Sequence, residues 1–109
     1  MTISIRPAIP DDLRAAARLA AALVREHHAY DPQRFMCIEP LEEGYERFLR
    51  SQLDREGVVL VVAAARDGSD ESIVGYLFGT LEERDWSDLR DVCGKIHDVY
   101  VDASARRQG

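Results

Sequence analysis

Lys95-Ile-His-Asp-Val-Tyr-Val-Asp-Ala-Ser-Ala-Arg-Arg-Gln-Gly109 is the stretch on which the reading of this chain turns. From Lys95 to Val101 the β-branched and aromatic residues Ile96, Val99, Tyr100 and Val101 predict a strand. The pattern then gives way abruptly to a small, polar, twice-basic segment that stops on glycine. A strand feeding such a turn suits an anion. Backbone N–H groups stand free at the start of a following helix, the macrodipole favours negative charge there, and glycine lets the backbone approach closely.

Working outward, residues 73–80 (Ile-Val-Gly-Tyr-Leu-Phe-Gly-Thr) predict another strand, and the eight apolar residues 58–65 predict one covered on both faces. The polar connection between them contains Asp67-Gly68, which makes the pair an antiparallel hairpin with a loop longer than two residues. Residues 85–91 form a charged loop before the last strand. Further upstream, Leu41, Tyr45, Phe48, Leu49 and Leu53 fall at helical spacing, stopped by Gly57. Leu13, Ala16, Ala17, Ala20, Leu23 and Val24 mark a first helix. Asp11 or Asp12 is expected to accept the free N–H groups of its first turn, and Pro32, which disfavours helical geometry at Asp31, should end it near Tyr30. Ile3 and Ile5 alternate with polar neighbours in a short first strand ended by Pro7. The order is β-α-α-β-β-β, an α/β (α+β) arrangement in a single domain.

At 109 residues the chain is long enough for one real core. Its 20 acidic against 14 basic residues give a net charge of −6, which argues against a nucleic-acid partner and is compatible with a cationic small substrate or with mere solubility. Cys37 and Cys93 lie far apart and form no C-x-x-C or secretory framework. With no signal peptide and no apolar run near the roughly 20 residues of a membrane span, a cytoplasmic setting without a membrane partner is expected.

Residues 99–109 resemble the acyl-CoA-binding segment of the GNAT superfamily of N-acetyltransferases. That family follows a strand with Arg/Gln-x-x-Gly-x-Gly/Ala, whose first four positions fall on Arg106, Arg107, Gln108 and Gly109. The opening Ile5-Arg-Pro-Ala-Ile-Pro-Asp-Asp12 and the order of elements resemble the family as well. The resemblance implies a mostly antiparallel GNAT-like sheet, with the chain being the N-terminal part of one such domain, cut within the pyrophosphate-binding motif and lacking the domain's C-terminal half. It implies transfer of an acetyl group from acetyl-CoA, as co-substrate, to the primary amine of a small molecule or peptide, an activity expected of the complete domain rather than of these residues alone. The alternative is a non-catalytic half-domain that pairs strands with another chain, as in a homodimer.

The resemblance also assigns residues. Val99, Tyr100 and Val101 would hydrogen-bond the pantetheine arm through their backbone, or are simply core strand residues. Arg106, Arg107, Gln108 and Gly109 would hold the pyrophosphate, or form a solvated basic tail. His97 and Asp98 are the candidates for the proton acceptor, on opposite faces of the strand because side chains alternate. An imidazole, with an unperturbed pKa near ~6.5, suits removal of a proton near neutrality. A partly buried histidine making one structural hydrogen bond is the plainer account, and Asp98 reads more readily as a structural acceptor. The acid for the departing thiolate would lie beyond Gly109. His28, Tyr30, Asp31 and Phe35, with His27 beside them, sit where the family builds its acceptor pocket. The adjacent histidines have no completing ligand at the right spacing, so no metal is expected. Direct attack is preferred over an acyl-cysteine because neither cysteine has an evident activating partner. Acidic residues at 67–71 and 82–91 are candidate attractors for an amine, or solvated loops.

Overall fold

The structure is a computed structural model and describes residues 2–107. The expected order is found: β1 (Thr2–Pro7), α1 (Leu13–Tyr30), α2 (Leu41–Gln52), β2 (Val58–Asp67), β3 (Asp70–Glu82) and β4 (Cys93–Val101). Short 3-10 turns precede α1 (Pro10–Asp12) and follow β4 (Ala103–Ala105). The strands form one antiparallel sheet in the order β1-β2-β3-β4, so the fold is α+β.

Both helices lie on one face of the sheet. Helix α1 turns Leu13, Ala16 and Ala20 inward, and its small side chains let it approach closely. Leu49 of α2 joins them over Leu60, Val62, Tyr76, Phe78 and Tyr100 of the sheet, giving the main core. As Pro32 predicts, Asp31 is extended (φ −149°) and α1 stops at Tyr30. Among the described residues no helix is long and apolar enough to cross a membrane.

Four expectations need correction. Residues 58–65 are not covered on both faces. Leu60, Val62 and Ala64 are buried under the helices, whereas Val59 on the other face is 53% exposed, because the packed helices occupy one side only. That second face is covered at one end, where Ala105 meets Ala65 and Val74. The hairpin loop is two residues, not longer: Asp67 pairs with Asp70, and Gly68 adopts φ +62° at the first central position, a conformation that glycine reaches without steric cost. Gly57 does not stop α2, which ends at Gln52; it sits in the turn into β2, where its carbonyl accepts the Leu81 N–H at 2.7 Å.

The fourth correction concerns Asp12. It stands at the N-cap of α1, but its carboxylate makes no cap to that helix. It turns back instead, accepting the Ile9 N–H at 2.9 Å and both Arg6 guanidinium nitrogens at 2.6 and 3.1 Å. The two-pronged arginine is the stronger partner, since charged, paired hydrogen bonds outweigh a single cap. Arg6 also reaches Glu71 of β3 at 3.0 Å, and Glu71 takes Arg66 at 3.0 Å, so one cluster ties β1, the turn before α1 and the β2–β3 hairpin.

The Arg6 hydrogen bonds, with the Ile9 N–H adding to them, hold the buried Asp12 carboxyl below its ordinary range against the opposing effect of burial; Arg66 and Arg6 do the same for Glu71. A carboxylate whose pKa is depressed on folding stabilises fully above the unfolded value, about 4, and loses that contribution as pH falls through the folded value. Urea unfolding should therefore show stability dropping below about pH 4. Asp12→Ala should cost roughly 2 kcal/mol at neutral pH and flatten that dependence; an unchanged midpoint would show the cluster to be inconsequential.

Candidate active site

The site begins with an irregularity between β3 and β4. Leu77 pairs with Val99 and Phe78 with Asp98, but Gly79 pairs with Ile96, leaving His97 without a residue opposite. Such a bulge re-aims side chains locally. His97 and Asp98, expected on opposite faces, consequently line the same pocket on the helix side. The His97 ring stacks on Phe78 with centroids 5.2 Å apart, and its Nε2 lies 2.7 Å from Thr80 Oγ1 and 3.6 Å from the Glu82 carboxylate. Phe78, Thr80 and Glu82 alternate along β3 onto one face and so present a single support for the imidazole. Gly79 permits the bulge. A Cβ there would stand 3.0 Å from the Lys95 carbonyl oxygen, too close for an undisturbed strand.

His97 and Asp98 contribute to an open pocket of about 370 Å³. Its walls are mostly apolar, with Leu23 and Val24 from α1, Phe35 and Met36 from the following loop, and Tyr45 from α2. Burial first, and then the Asp98 charge, push the Tyr45 phenol above its ordinary pKa. The same two causes raise Tyr76, whose buried hydroxyl has no hydrogen-bond partner among the described residues. Both phenols therefore stay protonated near neutrality.

Of the residues expected to bind an acceptor, Phe35 lines this pocket, as does its neighbour His27. His28 does not; its Nδ1–H donates to the Phe35 carbonyl at 2.8 Å and fixes the loop instead. Asp31 caps that loop by accepting the N–H groups of Gln33 and Arg34 at 3.2 and 3.3 Å. Tyr30 is 89% exposed and lies outside the pocket. Sequence reasoning does not find Met36, Tyr45 or Thr80. Tyr45 carries only a core-helix signal, and Glu82, a candidate amine attractor or part of a solvated loop by sequence, stands instead beside the His97 imidazole.

The cofactor candidates divide by face. Tyr100 is buried against α1, where its hydroxyl donates to Glu26 at 3.1 Å, while Val99 and Val101 alternate away from it and are exposed, Val99 also bordering the His97–Asp98 pocket. Among the described residues β4 pairs only with β3, so its outer edge has no ladder partner. Arg106, though exposed, folds back: its Nε–H donates to the Val101 carbonyl at 2.8 Å and its guanidinium lies 5.2 Å from the centre of the Tyr100 ring. Arg107 is exposed with φ +66°. Gln108 and Gly109 lie outside the described residues. Cys93 does have a cationic neighbour, Arg90 Nη1 at 3.2 Å from its sulfur, but it lies outside the pocket. Among the described residues no three His, Cys, Asp or Glu side chains gather as a metal-binding group.

No protein-family model matches the sequence, and no curated protein matches it. Solved structures do. The BH1408 protein of Bacillus halodurans, solved as a mutant, superposes with a TM-score of 0.73 at 25% identity, over 97% of this chain and 65% of that one. An aminoglycoside 6'-N-acetyltransferase from Acinetobacter baumannii matches with a TM-score of 0.62 at 14% identity, over 99% of this chain and 63% of that one. The PaiA N-acetyltransferase of Thermoplasma acidophilum, solved with coenzyme A, matches with a TM-score of 0.61 at 14% identity, over 99% of this chain and 64% of that one. The chain thus spans about 65% of the length of the first of these. Its fold is GNAT-like, as the C-terminal segment and the element order implied.

The contact at Gly79 makes the bulge testable. Gly79→Ala should lower stability by roughly 1–3 kcal/mol through overpacking against the Lys95 carbonyl. The His97 ring resonances should shift with it in NMR spectra, and an unmoved imidazole would show that the bulge does not depend on this glycine.

Proposed function

We propose that residues 1–109 are the N-terminal part of a single GNAT-type domain that transfers an acetyl group from acetyl-CoA to a primary amine by direct attack. The observation that carries this reading is the bulge in β4, which brings His97 and Asp98 together in an apolar pocket beside an unpaired strand edge. That edge fits an extended, amide-rich arm, since its backbone groups have no ladder partner among the described residues. Arg106 and Arg107 stand at its end, where an arginine suits a pyrophosphate. Acetyl-CoA, as co-substrate, supplies the activated acyl carbon.

In this mechanism Asp98 attracts the ammonium form of the acceptor into the pocket. His97 takes one proton from it. With Nε2–H directed at Thr80 Oγ1, Nδ1, which has no hydrogen-bond partner among the described residues, is left as the proton acceptor. Glu82, 3.6 Å from Nε2, favours the imidazolium once it forms. The freed amine forms a C–N bond to the acyl carbon as the C–S bond breaks, its second proton ends on the departing sulfur, and His97 returns the first to solvent. Thr80 and Glu82 act as positioning residues.

The open edge of β4 also supports a second reading, a module that pairs this strand with another chain. Sedimentation distinguishes the two: a dimer with no affinity for acetyl-CoA favours the module and counts against the enzyme.

For the enzyme, calorimetric titration should detect acetyl-CoA binding, and absence of heat in a protein carrying the whole domain would end the proposal. His97→Ala should lower kcat/KM by about 10²-fold or more at neutral pH. The acidic limb of the pH–rate profile should disappear with it; an unaltered profile excludes His97 as the base.

A further inference from the structure

We infer that the acceptor is an amphiphilic primary monoamine, with one ammonium group on an alkyl or arylalkyl body, rather than a polyamine or an aminoglycoside. The inference rests on the reading of the His97–Asp98 pocket as the acceptor site. Met36 and Tyr45, which wall that pocket, also wall a second groove of about 420 Å³, so the two adjoin. Ile38, Leu41 and Phe48 line the second groove, and Met36, Ile38 and Phe48 are all exposed there. Large apolar side chains gathered at the surface beside a charged site suit the hydrocarbon part of a ligand.

Charge decides between amine classes. The first pocket offers one carboxylate, Asp98. The charged residues lining the groove are Glu39 and Arg47. Glu39 is committed: Arg25 Nη2 holds it at 2.9 Å, and it also accepts the Leu41 N–H at 3.4 Å. Neighbouring carboxylates on α2 are engaged too, Glu42 by Arg25 at 2.7 Å and Glu46 by Arg14 at 3.4 Å. A second ammonium extending from Asp98 into the groove would therefore meet Arg47, apolar walls and a Glu39 already bonded to Arg25 and the Leu41 N–H, losing hydration with no carboxylate free of other partners to receive it. A hydrocarbon body meets those walls favourably.

The test is an NMR titration of the 109-residue chain with 2-phenylethylamine, spermidine and kanamycin at one ionic strength. 2-Phenylethylamine should bind at least about tenfold more tightly than either polycation, with shifts at Met36, Tyr45 and Phe48. Arg47→Glu should raise spermidine affinity by about tenfold and narrow or reverse the preference. Ile38→Glu, at an exposed position on the same groove, should do likewise and serves if the first variant fails to fold. Equal or tighter binding of a polycation, no binding of any amine, or an unchanged preference in a folded variant overturns the inference. Acetyl-CoA is not needed, so the outcomes separate. Amine selectivity without acetyl transfer would leave the pocket's preference for a monoamine standing and remove the enzyme reading; transfer with a preference for spermidine would do the reverse.

Discussion

At Gly79 the backbone of β4 comes so near that a Cβ would stand 3.0 Å from the Lys95 carbonyl oxygen. The extra residue in β4 sits next to that approach, and the candidate site follows from it. Regular alternation would send one of His97 and Asp98 to the exposed side of the sheet. The bulge instead brings both to the helix side, where Phe78 stacks on the imidazole and Thr80 meets its Nε2. A glycine on one strand thereby sets the chemistry available on its neighbour.

Helix packing supplies the rest of the pocket. The alanines of α1 allow it to lie close on the sheet, and α2 reaches over β3, where Phe48 meets Phe78 edge-on at 5.5 Å. The loop between the helices is tied down from both ends. Arg25 of α1 grips Glu39 and Glu42, and His28 donates to the Phe35 carbonyl. These ties hold Phe35 and Met36 against the site while leaving Met36 exposed toward the adjoining groove. The same ion pairs that order the loop engage its carboxylates, so a structural requirement also shapes which charges a ligand would meet.

Much of the fold was legible because it depends on near neighbours in the chain. The 3.6-residue spacing of Leu13, Ala16 and Ala20 announced α1, Pro32 announced its end, and β-branched runs announced the strands. The errors share a different origin. Asp12 looked like a helix cap, yet Arg6 offered it two charged hydrogen bonds, and nothing in the local pattern ranks those options. Residues 58–65 looked doubly buried because an apolar run carries no record of which side the helices cover. Thr80 gives no signal, and the acidic stretch that holds Glu82 gives no sign of a tie to His97, since both relations exist only across the β3–β4 ladder.

By itself the sequence determined the order of the elements, the inward faces of both helices, the α+β class and the GNAT-like character of the fold, all of them properties set by residues close together along the chain. The tertiary structure alone decided that His97 and Asp98 share one pocket, that Phe35 lines it while His28, Tyr30 and Asp31 do not, and that Arg106 folds back onto β4. The physical reason is that register, charge pairing and enclosure depend on groups distant in sequence, such as Arg6 with Glu71 or His97 with Thr80, whose meeting only the packed sheet and helices bring about.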